Sequence, residues 1–212
     1  TIKVAPNCFS TTPACPELLP KEVLDFKRKE MGSLTYAREI LLQRIDPATQ
    51  PFKRDYETLY DGSNCPDRDR FMHVVTVADP AYTEKDGDAT GIITMGITHG
   101  NHGYVLMKSN IRREDPGLIV EEIYKHIRAY SPDAVGIKRR KGDAISFSFN
   151  ERMTREGLWN FRYVELKDTG HKKDRVGGMV PRWEARAIHI HKEMKDLLKQ
   201  LYEYRLDDSH AN

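Results

Sequence analysis

Five aspartates stand where the residue pattern ends an element or opens a loop. Asp79 closes a β-branched run, Asp86 and Asp88 precede the next run, and Asp207-Asp208 closes the last amphipathic stretch. Carboxylates at strand ends can converge on hard cations, because Mg²⁺ and Mn²⁺ prefer oxygen ligands. Two such ions about 3.5–4 Å apart can activate water and stabilise the leaving oxygen in phosphodiester cleavage. The plainer account is turn chemistry: Asp-Pro at a strand end and Asp86-Gly87-Asp88 are both ordinary loop sequences. Spacing alone leaves both accounts open.

The other reactive residue types say less. His189 and His191 alternate with Ile188 and Ile190, so both point to one face of a strand. A pair at this spacing can bind metal, although a half-exposed sheet face is the plainer reading. His99 and His102 flank a hairpin turn and are expected to face solvent. Cys8, Cys15 and Cys65 form no CxxC pair and lack a histidine pair to complete a zinc site. Their odd number suits a reduced, intracellular setting without a disulfide framework. No Walker A sequence occurs, so the chain is not itself a P-loop ATPase. A basic run, Lys138-Arg139-Arg140-Lys141, is followed by Arg152 and Arg155, then by Lys167, Lys172, Lys173 and Arg175. Such clusters are usually solvated surface. These follow strand ends on the same topological side as the acids, which suits a phosphate backbone held beside a metal site.

The elements that must position these groups can be read from periodicity. Residues 72–78 are a β-branched run stopped by Asp79-Pro80, hence a strand. Residues 91–100 and 102–113 flank Asn101 and predict a β-hairpin with a tight Gly-Asn turn. Asp115 is placed to cap a helix with Pro116 at its first position, running until Ser131-Pro132. Residues 134–137 predict a short buried strand, 144–158 a helix and 162–167 a strand. Beyond a Gly-rich loop, 187–190 predict a strand and 192–205 a helix with one apolar face. Three strands followed by helix–strand alternation imply an α/β fold whose mixed sheet is antiparallel at first and then parallel. Residues 1–70 differ in character: they hold most of the prolines and all three cysteines, with one amphipathic stretch over 21–43.

Composition sets the bounds. The 212 residues are 39% hydrophobic, enough for a core, and carry a formal charge of +2. A nucleic-acid surface must therefore be local rather than global. No apolar stretch reaches the roughly 18 residues of a membrane span, and no signal peptide opens the chain, so a soluble protein is expected. A start at Thr1 suggests a fragment or a processed product.

Taken in order, these residues resemble the nuclease domain of phage terminase large subunits. The likeness begins with Asp79-Pro80-Ala81, the loop to Asp88-Ala89-Thr90-Gly91, and the hairpin beyond. It continues through the helix ending in YSPDAVGI, and through KKDRV (172–176), which is similar to a Lys-x-x-Arg-Ile segment. It closes with LDDSHAN (206–212), similar to the start of an acidic motif. Residues 71–212 are covered in order, and 1–70 look like the linker and helical segment that follows a packaging ATPase domain. The resemblance implies an RNase H-like fold and a metal-dependent endonuclease that cuts concatemeric double-stranded viral DNA with two Mg²⁺ or Mn²⁺ ions. It makes Asp79 the central metal bridge, Asp207 and Asp208 the third acidic position, and Asp88 an auxiliary acid. Lys138, Arg139, Arg140, Lys141, Lys172 and Arg175 are the expected DNA contacts. The implied partners are DNA, the ATPase domain, a small terminase subunit and a portal, in the host cell cytoplasm and without a membrane.

One departure changes the expectation. Where the family pattern places a glutamate or aspartate after the strand 134–137, this chain has Lys138, with Asp143 the nearest acid. An ammonium offers no oxygen ligand and adds positive charge where cations should bind. Weak or absent cleavage is therefore expected. The rival expectations are a nuclease-inactive DNA-gripping or capsid-docking module, and another RNase H-like enzyme of the resolvase or transposase type.

Overall fold

The computed structural model of the chain describes residues 20–41, 50–81, 89–112, 115–138, 144–157, 160–167 and 172–205. In chain order the elements are α1 (Lys21–Glu39), β1 (Leu59–Tyr60), β2 (Phe71–Asp79), β3 (Thr90–Thr98) and β4 (Gly103–Ile111). They continue with α2 (Pro116–Tyr130), β5 (Ala134–Lys138), α3 (Ala144–Glu156), β6 (Arg162–Leu166), α4 (Lys172–Gly177), α5 (Val180–Glu184), β7 (Ile188–His191) and α6 (Lys195–Glu203). The chain divides into two compact units, one of Leu59–Thr169 with Ile188–Met194, the other of Thr1–Thr58, Gly170–Ala187 and Lys195–Asn212.

The first unit is a mixed sheet of order β1-β7-β4-β3-β2-β5-β6. β2, β3 and β4 pair antiparallel, while β5 joins β2, β6 joins β5, and β7 joins β4 in parallel. The antiparallel opening followed by parallel strands is the arrangement expected from the element order. β2 alternates cleanly over its second half: Val74, Thr76 and Ala78 are buried, Val77 and Asp79 face out. Ala78 joins Ile119, Ile123, Tyr124 and Ile127 of α2 and Ile145 and Phe149 of α3 in one core cluster, while Val74 packs with Phe71 and Leu106 in another. α2 starts where its cap residues require. Asp115 accepts hydrogen bonds from the Gly117 and Leu118 amides at 2.8 and 3.4 Å, and Ser131 ends the helix in the left-handed region. Gly96 and Gly136 allow close approach across the sheet. A Cβ at Gly96 would lie 2.6 Å from the Phe71 ring, and one at Gly136 2.8 Å from Leu166.

The second unit is helical. α1 breaks at Gly32, where φ is 76°, because the Pro181 ring occupies the space a Cβ would need. The amphipathic stretch over 21–43 is an interrupted helix ending at Glu39. The loop expected between Leu166 and β7 instead carries α4 and α5. Trp183 of α5 is buried edge-on against Phe52, ring centroids 5.8 Å apart, and its indole donates to the Lys53 carbonyl at 2.8 Å. Glu184 accepts from the Ser33 amide at 2.8 Å and from the Ser33 hydroxyl. Among the described residues no helix is long and apolar enough to cross a membrane.

Candidate active site and its neighbours

Asp79 is the last residue of β2, and Lys138 is the last residue of β5. The parallel register pairs Ala78 with Ile137, so the next residues of the two strands emerge side by side. Both point away from the core, because their neighbours Ala78 and Ile137 point into it. The Lys138 Nζ lies 3.3 Å from Asp79 Oδ1 and 3.4 Å from Oδ2, so the ammonium faces both carboxylate oxygens. The lysine is the more enclosed partner, 14% exposed against 57% for the aspartate. On the other side Asp79 pairs with Gly91 of β3, where nothing lies within 4 Å of the place a side chain would start. The turn after Asp79 is held by the Ala81 amide, which donates to Thr90 Oγ1 at 3.1 Å.

The expected acids Asp88, Asp207 and Asp208, the alternative acid Asp143 and the cations Arg139, Arg140 and Lys141 lie outside the described residues. Lys172 and Arg175 fall in α4. Among the described residues no group of three or more His, Cys, Asp or Glu side chains could hold a metal ion. At the ends of β2 and β5 the donor set is one carboxylate facing an ammonium. These residues by themselves do not fit a pair of divalent cations, which require several oxygens each.

Arg152, grouped with the DNA-facing cations by sequence, is engaged elsewhere. Its Nη1 and Nε each lie 2.6 Å from a carboxylate, of Glu121 and Glu156, and its guanidinium stacks over Tyr124 at 4.2 Å. Arg128 takes the other Glu121 oxygen at 2.6 Å. Hydrogen bonds from Arg152 and Arg128 hold the Glu121 carboxyl below the usual range. This cluster joins α2 to α3 and has no cation to spare for phosphate.

Beneath the outward face of β2 runs a buried polar chain that periodicity did not single out. The Thr76 and Thr94 hydroxyls are 2.8 Å apart, and Thr94 Oγ1 is 2.7 Å from Nδ1 of the fully buried His126. His126 Nε2 is 3.0 Å from Ser109 Oγ, which donates to Glu122 Oε1 at 2.8 Å. Lys125 closes the chain 2.6 Å from Glu122 Oε2. Since the single Ser109 proton goes to the carboxylate, the network assigns the His126 proton to Nε2; Thr94 and Ser109 then each donate once and accept once, with Thr76 donating to Thr94. Burial lowers the His126 pKa below its ordinary value.

At the hairpin end of β4, His102 and His189 meet. His102 is exposed, as expected, yet its Nδ1 lies 2.9 Å from His189 Nε2. The His189 ring stacks on Tyr104, and His191 meets the Tyr60 ring edge-on.

Residues 76–212 match the family model described as the terminase RNaseH-like domain. A large terminase from a thermophilic bacteriophage, in complex with ADP, superposes with a TM-score of 0.63 over 87% of this chain at 13% identity. The chain spans 44% of that protein. The large terminase nuclease from thermophilic phage G20c superposes with a TM-score of 0.55, covering 76% of this chain and 82% of that one, also at 13% identity. At such identities the likeness concerns the fold, which is RNase H-like. No curated protein matches the chain in sequence. With the family model covering the end of the strand that closes on Asp79 and everything after it, the chain belongs to the terminase RNaseH-like domain family.

Proposed function

We propose that the chain is the nuclease domain of a viral DNA-packaging terminase large subunit, and that Lys138 holds its hydrolytic activity low while the domain still grips double-stranded DNA. The observation that carries this reading is the Lys138 ammonium facing both oxygens of Asp79. A divalent cation at Asp79 must displace that ammonium or tolerate it. The ion pair itself is a small obstacle, since pairs with an exposed partner contribute about 0.2–1 kcal/mol. Charge is the larger one. A unit-charge contact at about 4 Å and an effective dielectric near 20 amounts to about 4 kcal/mol before solvent and side-chain motion reduce it. A residual of about 1.4 kcal/mol weakens cation binding tenfold. A site for Mg²⁺ or Mn²⁺ would also require the carboxylates expected at Asp88, Asp207 and Asp208.

The remaining ATPase domain, a small terminase subunit and a portal are the partners this reading implies, with concatemeric viral DNA in the host cytoplasm as substrate. Plasmid nicking by this chain and by Lys138→Glu, with Mg²⁺ and with Mn²⁺, tests it. Weak or absent nicking by the parent and a clear gain in the variant are expected. Robust cleavage by the parent, unchanged in the variant, would remove Lys138 from the account. Persistent DNA retention without cleavage in both proteins would instead favour the gripping module, which an ammonium at this strand end suits.

A further inference from the structure

We propose that His102 and His189 are the two protein ligands of a surface site for a divalent transition metal of the nickel, copper and zinc group. This site is independent of the nuclease reading and of Asp79. Its ligands come from separate parts of the sequence, the hairpin loop before β4 and the middle of β7, brought together because β4 and β7 run parallel with Tyr104 opposite His189.

The geometry is that of two neighbouring ligands. His102 Nδ1 and His189 Nε2 are 2.9 Å apart, and the rings are inclined at 41° with centroids 5.2 Å apart. Without metal, one imidazole donates its proton to the other. With metal, the donating ring moves its proton to its other nitrogen, where the accepting ring already carries its own, and both lone pairs become available to one ion. Metal–imidazole bonds measure about 2.0–2.1 Å, so nitrogens at this separation subtend about 90° at the metal. That is the angle between adjacent ligands in tetragonal or octahedral coordination, which Ni²⁺ and Cu²⁺ favour. Tetrahedral Zn²⁺ would require the nitrogens to part by about 0.4 Å. Mg²⁺ is a poor match, because it prefers oxygen donors.

Both ligands are held before any metal arrives. The His189 ring lies flat on Tyr104, with centroids 4.2 Å apart and planes within 3°. Tyr104 is in turn wedged edge-on by Tyr60 and Phe71, at 5.4 and 5.7 Å. His102 is tied through its backbone: its carbonyl accepts from the Thr98 amide at 2.9 Å, and its amide donates to Thr98 Oγ1 at 3.2 Å. The His189 side chain therefore has little freedom left to lose on binding, and the His102 backbone is already in place. His102 is exposed and His189 half-buried, so water can complete the coordination shell.

The test is calorimetric titration of the full chain with Ni²⁺ at neutral pH, with Mg²⁺ as a competitor. A single Ni²⁺ per chain is expected, unaffected by Mg²⁺. His102→Asn and His189→Asn should each lower the affinity at least about tenfold, and the double variant should lose little more than the weaker single one, because the two share one site. His73→Asn, at an exposed position of β2 and outside the pair, should bind as the parent does. Unchanged melting temperatures of the metal-free variants establish that they fold. Copper(II) electron paramagnetic resonance supplies a second readout, with coupling to two imidazole nitrogens in the parent. Single variants that take up Ni²⁺ as tightly as the parent, or a copper signal coupled to fewer than two imidazoles, would overturn the proposal.

Discussion

His126 shows how much one side chain can decide. It is wholly buried, with Thr94 on one ring nitrogen and Ser109 on the other. Replacement by leucine takes away the acceptor of the Thr94 hydroxyl, while Ser109 keeps Glu122. A buried group left without its partner costs about 1–3 kcal/mol, and His126→Leu is expected to lower stability by about that much in urea unfolding. The pH dependence follows from the same burial. The neutral ring is favoured in the fold, so the folded pKa lies below the unfolded value of about 6.5. The unfolded chain then binds more protons just below that value, and stability is full above it and falls as pH drops through it. Urea midpoints should decline between neutral pH and pH about 5.5, and His126→Gln should reduce the decline. His189, whose pKa burial and His102 also lower, keeps part of the effect in that variant. An identical decline in parent and variant would show that His126 does not titrate in this range. By contrast, Lys138→Met should change stability by no more than about 1 kcal/mol, because its aspartate partner is mostly exposed. The adjacency of Asp79 and Lys138 was legible in the sequence, since each ends a strand of one sheet. The His126 chain was not: a single histidine on an apolar helix face has no period of its own, and its partners come from three strands.

Elements explain where periodicity succeeds and where it fails. β2 to β4 and α2 carry nine or more residues each, with caps and turns that agree with their patterns. Asp115→Ala removes the acceptor of two amides at the start of α2 and is expected to cost about 1 kcal/mol, read as a shift in the urea midpoint; an unchanged midpoint would mean water serves those amides equally well. Gly96→Val places a side chain in the space filled by the Phe71 ring and should cost about 1–3 kcal/mol, with Phe71→Leu in the same chain recovering part of it. Short elements follow different rules. β1 has two residues and α5 has five, too few to show a period, and the packing of Trp183 and Pro181 rather than propensity stabilises α5. α6 begins at Lys195 and not at the expected Lys192, because the Lys192 amide donates to the Tyr60 carbonyl and extends the ladder with β1. The His102–His189 pair was hidden for a related reason: nothing local places β7 beside β4, a neighbour far away along the chain.

At the scale of the whole molecule, charge decides what DNA would contact under the proposed function. The formal charge is only +2, so such binding would have to come from local groups of cations rather than from the net charge. Several cations are committed to carboxylates: Arg128 and Arg152 to Glu121, Lys125 to Glu122, and Lys192 to Asp61. The run at 138–141, with Lys172 and Arg175, is the group that the sequence marks for phosphate, and Lys138 of that run faces Asp79. Since the sequence carries no base-reading motif, binding should be independent of sequence and should weaken linearly in log affinity against log salt, by about 0.9 per phosphate neutralised on a duplex. Arg139→Ala, Arg140→Ala and Lys141→Ala combined should reduce the magnitude of that slope by about 2.7, while Arg152→Ala should leave it unchanged and lower stability instead. Fluorescence anisotropy with two unrelated duplexes across a salt series measures both quantities. If Arg152→Ala flattened the slope as much as the triple variant, then DNA would be drawing Arg152 out of its carboxylate cluster. The surface that grips the duplex would then lie on α2 and α3 rather than at the end of β5.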